Sequence, residues 1–257
     1  HPDGGFYSAE DADSLDEHGH SEEGAFYTWT PQEVASVLGT DSAAALEWWN
    51  ITDGGNFEGR SIPHRIPQRG SLQRPAEIES ARHRLFHHRA TRSRPGLDNK
   101  VLTEWNAMML SSLCESISAF NRPDLIPIAK KNAEFLVNEL CNTDGVWSRS
   151  WQEDALPHAQ HSALAHDLAH VVDAMTRMYE LTANHAWLTV ATETAHHLVD
   201  QYWDPEHGGL FTVASSSEQL IVRQKDLMDN ATPSANSVAA YAFLRLAAIT
   251  GDAKLAT

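Results

Sequence analysis

Acidic, amide and imidazole side chains concentrate in four short stretches. SAEDADSLDEHGHSEEGAFYTW carries Glu10, Asp11, Asp13, Glu22 and Glu23 between two glycine–aromatic turns, and GLDNKVLTEWNAMM carries Asp98, Lys100, Glu104, Trp105 and Asn106. HSALAHDLAH holds His161, His166, Asp167 and His170, and RQKDLMDNATPSANS holds Arg223, Asp226, Asp229, Asn230, Ser234 and Asn236. Two carboxylates flanking a glycosidic bond divide the work of acid and base. A histidine pair instead removes and returns a proton, which is epimerase or isomerase chemistry. Asp, Asn and Ser at helix starts also serve as ordinary N-caps, so residue type alone does not separate the two roles. The acidic run lacks the D-x-D-x-D-G spacing of a calcium loop, and His166 and His170, four apart, lack the glutamate of HExxH. No metal and no cofactor is expected. Trp48, Trp49, Trp105 and Trp151 read as packing residues or, where exposed, as platforms for the apolar face of a sugar.

The elements that must position these groups are helical. Leu164, Leu168, Val171, Met175 and Met178 recur at steps of three and four within 161–182, and Trp187, Val190, Ala191, Leu198 and Tyr202 do so within 186–203. The short TANH link makes these an antiparallel pair. Residues 104–120 and 125–141 form a second hairpin across NRPD, and 234–250 begins a third. Thr30-Pro31-Gln32-Glu33 reads as a capping box opening a helix over 31–38, with further helices over 41–50 and 76–91. Residues 52–75, rich in Gly, Pro and Arg, form a long loop. No alternation persists long enough for a central sheet, although short hairpin strands after the Gly-Gly turns fit.

PDGGFYS at 2–8, NTDGVWS at 142–148 and PEHGGLFT at 205–212 share an acidic or polar turn, then glycine, then an aromatic. These turns and the helix starts recur at about 60–70 residues, the period of stacked helical hairpins. The fold expected is all-α, a partial α/α toroid incomplete at both ends and occupying 1–257 as one domain. Polar stretches at equivalent points of such a repeat gather at one mouth. Nineteen basic against 35 acidic residues give a net charge of −16, which disfavours nucleic acid and anionic membranes, and no run is long enough to span a bilayer. Cys114 and Cys141 have no metal or redox spacing and are not expected to pair.

The gathered groups suit a sugar or another polyhydroxylated small molecule. Asp11, Asp13, Asp98 and Asp167 are the candidate acid/base groups, with paired-carboxylate glycoside hydrolysis as the leading reading. Lys100, Trp105, Asn106, His166, Arg223, Asp226, Asp229, Ser234 and Asn236 are the candidate substrate-binding residues. The alternatives are a noncatalytic scaffold for protein partners and a sugar epimerase using His161 or His166.

GGFYSAEDADS, EGAFYTW, DNKVLTEWNAMM, HDLAHVVDAMTRMYE and RQKDLMDNATPSANSVAA resemble, in order, the motifs of the spermatogenesis-associated protein 20 / YyaL-like family of thioredoxin-domain-containing proteins. The resemblance covers nearly the whole chain. It implies a six-hairpin glycosidase-like toroid, a thioredoxin-like domain upstream as partner, a link to carbohydrate metabolism and a cytoplasmic setting. The family's Asp-Asp-Lys becomes Asp98-Asn99-Lys100 here, its Asp-Tyr-Ala becomes Asp167-Leu168-Ala169, and its Pro-Ser-Gly-Asn becomes Pro233-Ser234-Ala235-Asn236. Asn99 removes one carboxylic acid, and Ala235 disfavours a positive φ.

Overall fold

In the computed structural model, which describes residues 1–70, 73–218 and 221–256, the chain divides into two units: Ala9–Asp98, and His1–Ser8 with Asn99–Thr257. The smaller unit opens with β1 (Ala9–Glu10), β2 (Asp13–Leu15) and β3 (Ser21–Glu23), the last two forming an antiparallel hairpin. Thr30 then caps α1 (Pro31–Leu38): its hydroxyl accepts from Glu33 N–H, and the Glu33 carboxylate accepts from Thr30 N–H. Val34 and Leu38 of α1 pack with Ala45 of α2 (Ser42–Trp48) and with Ala81 and Leu85 of α3 (Ala76–Arg89), closing a small core around Trp29 and Ile51. β4 (Leu97–Asp98) returns to pair with β1. Between α2 and α3 the chain is largely irregular, as its glycines and prolines require; Ser71 and Leu72 of that expected loop lie outside the described residues.

The larger unit is built on helical hairpins. β5 (Val101–Leu102) leads into α4 (Thr103–Phe120), which turns at Asn121 into α5 (Ile126–Leu140). Asn121 takes φ 51°, a left-handed cap that asparagine tolerates. β6 (Ser148–Trp151) and β7 (Ala159–Ser162) join β5 in a three-stranded sheet. Next come α6 (Ala165–Thr182) and α7 (His185–Tyr202), then α8 (Ala235–Thr250), whose start is capped by the Ser234 hydroxyl. α4, α6 and α8 lie side by side as an inner row, with α5 and α7 behind α4 and α6. The main core fills the space between the layers: Leu110, Leu136, Leu168, Met175, Met178, Leu198 and Leu246 are essentially inaccessible. This is the α/α-hairpin architecture that the apolar periodicity dictates, a segment of an α/α toroid. Cys114 and Cys141 are both free thiols. Among the described residues, no helix is long and apolar enough to cross a membrane.

Candidate functional site

The inner helices of the larger unit run parallel at matched heights. Asp167 Oδ1 accepts from Glu104 N–H (3.1 Å), Ser111 Oγ donates to Asp173 (2.9 Å), Arg177 pairs with Glu115, and Arg245 pairs with Glu180. Each contact joins residues 62 to 65 apart, so the helix starts share one rim.

At that rim several expected ligand-binding residues are committed to architecture. Asn106, buried, accepts from Phe6 N–H through Oδ1 (2.7 Å) and donates to the Phe6 and Leu102 carbonyls through Nδ2. Asn236 treats Leu210 in the same way, accepting from its N–H at 2.6 Å and donating to its carbonyl at 3.0 Å. Both amides therefore clasp the residue that follows a Gly-Gly turn. Asp167 is 1% exposed, with Oδ2 accepting from Leu164 N–H and Oδ1 from Glu104 N–H. Burial pushes its carboxyl up to about 6, against the pull of those two N–H donors. Asp167 thus ties α6 to α4 through its carboxylate oxygens. Arg223 donates to the Gln201 and Val213 carbonyls and lies over the Phe211 ring, so it too is structural. Ser234 caps α8, and Asp229 accepts from Ser234 N–H. Lys100 has an exposed side chain, and its carbonyl accepts from Ser8 Oγ.

What remains for chemistry centres on α6. His166 Nε2 lies 2.6 Å from Asp226 Oδ2. A carboxylate only accepts, so Nε2 carries the proton and Nδ1 is the free acceptor of the neutral ring. One turn on, His170 is 6% exposed and its Nε2 has no partner. Burial lowers its pKa, opposed by the carboxylates of Glu104 and Asp173. Asp173 is 7% exposed; Oδ2 binds Ser111 and Arg177 while Oδ1 has no partner. Trp105 stands 48% exposed beside Glu104 in the first turn of α4, whereas Trp151 is buried. His161 sits on β7, outside α6.

Asp11, Asp13 and Asp98 belong to the smaller unit. Asp13 is exposed on β2, Asp98 faces Ala9 across the β1–β4 ladder, and the Asp11 backbone N–H donates to the Gly96 carbonyl. Asn99 accepts from Gln152 Nε2 (2.8 Å), and Ala235 opens α8 with ordinary helical geometry, so that position makes no demand for positive φ.

Asp173, Arg177, Glu115 and Tyr241 were not among the expected site residues. Their signal is present nonetheless: His166, His170, Asp173, Arg177 and Glu180 step by three and four along α6 as a polar stripe on a helix otherwise buried.

Parallel inner helices, outer antiparallel partners and polar excursions at one end define a helical-hairpin toroid segment. No family model matches the chain. The chain is a homologue of spermatogenesis-associated protein 20: the human protein is 32% identical over 98% of this chain, and the mouse protein 31% over the same share. An uncharacterised protein of Caenorhabditis elegans is 28% identical over 96% of the chain. The chain spans 37% of the human relative's length. Among solved structures it is similar to a cellobiose 2-epimerase from Spirochaeta thermophila (19% identity, 61% of this chain and 40% of that one, TM-score 0.49). It is also similar to an unsaturated glucuronyl hydrolase specific for heparin (14% identity, 98% of this chain and 76% of that one, TM-score 0.48).

Proposed function

We propose that the larger unit is a carbohydrate-active domain whose proton transfers run through His166 and His170. The observation that carries this reading is the 2.6 Å contact between His166 and Asp226, with a second, buried imidazole one turn away. Their environments separate the two rings. Burial keeps His170 neutral and so suited to accept a proton, while Asp226 is placed to balance the charge when His166 carries both protons and acts as the acid. For a reducing sugar, His170 takes the proton from the carbon beside the open-chain carbonyl, leaving an enediolate, and His166 gives a proton to that carbon. The configuration inverts and no atoms are gained or lost. Trp105, exposed in the first turn of α4, suits the apolar face of a sugar ring.

Paired-carboxylate hydrolysis is less well supported. Of the four acids expected for it, only Asp167 lies in this unit, and both its oxygens are held by backbone N–H groups. A thermal-shift screen of neutral mono- and disaccharides tests the proposal. A sugar-dependent rise in melting temperature, lost in Trp105→Ala and His166→Gln, is expected. No shift with any sugar overturns it. The full-length protein's partners, including a thioredoxin-like domain of the same chain, and its cytoplasmic setting stand as parts of this proposal.

A further inference from the structure

A cavity of about 330 Å³ opens along the inner helices, lined by Met108, Ser111, His170, Asp173, Ser237 and Tyr241 among others. Two of its lining residues, His170 and Asp173, are 6% and 7% exposed, and each has a polar atom with no partner: His170 Nε2 and Asp173 Oδ1. Unsatisfied polar groups at such depth are rare and costly, so two in one cavity point to a group that completes them. Asp173 Oδ1 requires a donor. His170 Nε2 takes a donor when the ring is protonated only at Nδ1. A hydroxyl serves either position.

Charge narrows the choice. Among the described residues that line the cavity there is no Arg or Lys, and Arg177 of α6 and Arg245 of α8 are already engaged: Arg177 by Asp173 and Glu115, Arg245 by Glu180. Three carboxylates therefore face two cations, with Glu104 adding a further negative charge near His170. A ligand carboxylate or phosphate entering here meets an unpaired carboxylate oxygen and, among the described residues that line the cavity, no guanidinium.

We infer that this cavity is a specificity subsite that takes an uncharged, hydroxyl-bearing sugar ring and rejects uronates and sugar phosphates. The inference rests on the carbohydrate reading above and names its substrate class. Asp173 Oδ1 accepts from a sugar hydroxyl, and Ser111, Ser237 and Tyr241 share the lining of the cavity.

The test is calorimetric titration of the intact chain with methyl β-glucoside against methyl β-glucuronide, and with the mannose pair of the same design. These probes differ in one oxidised carbon and cannot ring-open, so only binding is read. The neutral member of a pair is expected to bind at least about tenfold more tightly than its uronide. Glu115→Gln relieves Arg177 of one partner and is expected to narrow that gap, and Asp173→Asn to weaken neutral-sugar binding, with melting curves reporting that each variant folds. A uronide that binds the unaltered protein as tightly as its neutral partner overturns the charge selection while leaving the carbohydrate reading in place. Failure of both members of both pairs to bind overturns that reading together with the subsite.

Discussion

His166 Nε2 lies 2.6 Å from Asp226 Oδ2, joining the first turn of α6 to a loop residue 60 positions further along the chain. The contact fixes which ring nitrogen holds the proton and supplies a counter-charge when the ring takes a second one. Asp226→Asn keeps the shape and removes that charge. Proton exchange between solvent and a reducing sugar is expected to fall by about 10²- to 10⁴-fold. Because the Asp226 side chain is 36% exposed, the melting temperature should change little. The exchange rate and the melting curve of the same preparation check both halves.

Asn106 holds Phe6 by both its N–H and its carbonyl across 100 residues, and Asn236 does the same for Leu210. Asn106→Ala leaves the Phe6 N–H and carbonyl without their side-chain partner and removes one of the two acceptors of the Asn132 amide, which keeps the Gly4 carbonyl. It is expected to cost about 2–4 kcal/mol by denaturant unfolding. Asn106→Asp should cost at least as much, since a carboxylate has no donor for the Phe6 and Leu102 carbonyls. A loss under about 0.5 kcal/mol for both would show that the clamp contributes little.

Asp167 titrates near 6 in the folded chain against an ordinary 3.8, because burial disfavours its charged form. The folded state then binds more protons than the unfolded state between those values. This contribution to stability is present below about pH 4, and it is lost as pH rises through 6. Its size is roughly 3 kcal/mol. Asp167→Asn does not titrate. The stability of the unaltered protein minus that of the variant should therefore decline from pH 4 to pH 7, as read from unfolding curves at each pH. A flat difference contradicts the assignment.

Gly4 adopts φ 115°, and a Cβ there would stand 2.5 Å from the Lys131 carbonyl oxygen. Backbone cannot yield as a flexible side chain can. Gly4→Ala is expected to destabilise by about 1–3 kcal/mol, whereas Gly70→Ala, with open space around it and no positive φ, should be near neutral. Thermal melting of the two variants side by side decides this.

Most of the helical frame was legible in the sequence because apolar residues three and four apart leave few other ways to bury themselves. Leu168, Val171, Met175 and Met178 drew α6 in this way, and Thr30 with Glu33 marked the start of α1. The recurrence of glycine turns and helix starts likewise anticipated that α4, α6 and α8 would share a rim. Side-chain commitments were harder to read. Asn106 and Asn236 have the right type and position for ligand binding, yet their partners are backbone groups of Phe6 and Leu210, and nothing in local sequence names a partner 100 residues away. Asp167 shows the same limit: a carboxylate at a helix start looks alike in the sequence whether its oxygens meet solvent or backbone N–H. The polar stripe from His166 to Glu180 was the signal passed over, because the apolar face of the same helix dominated its periodicity. Asp11, Asp13 and Asp98 entered the same expectation by residue type, and they lie in the smaller unit.

The central claim is that His166 and His170 move a proton at a sugar carbon. Incubation of the intact protein with neutral reducing disaccharides in deuterium oxide, followed by proton and carbon NMR, tests it most directly. The account predicts deuterium at the carbon next to the anomeric centre, appearing with the inverted sugar and absent in His166→Gln and His170→Gln variants that remain folded. Sugar that binds yet keeps its proton after long incubation, or exchange that survives loss of both imidazoles, would contradict it.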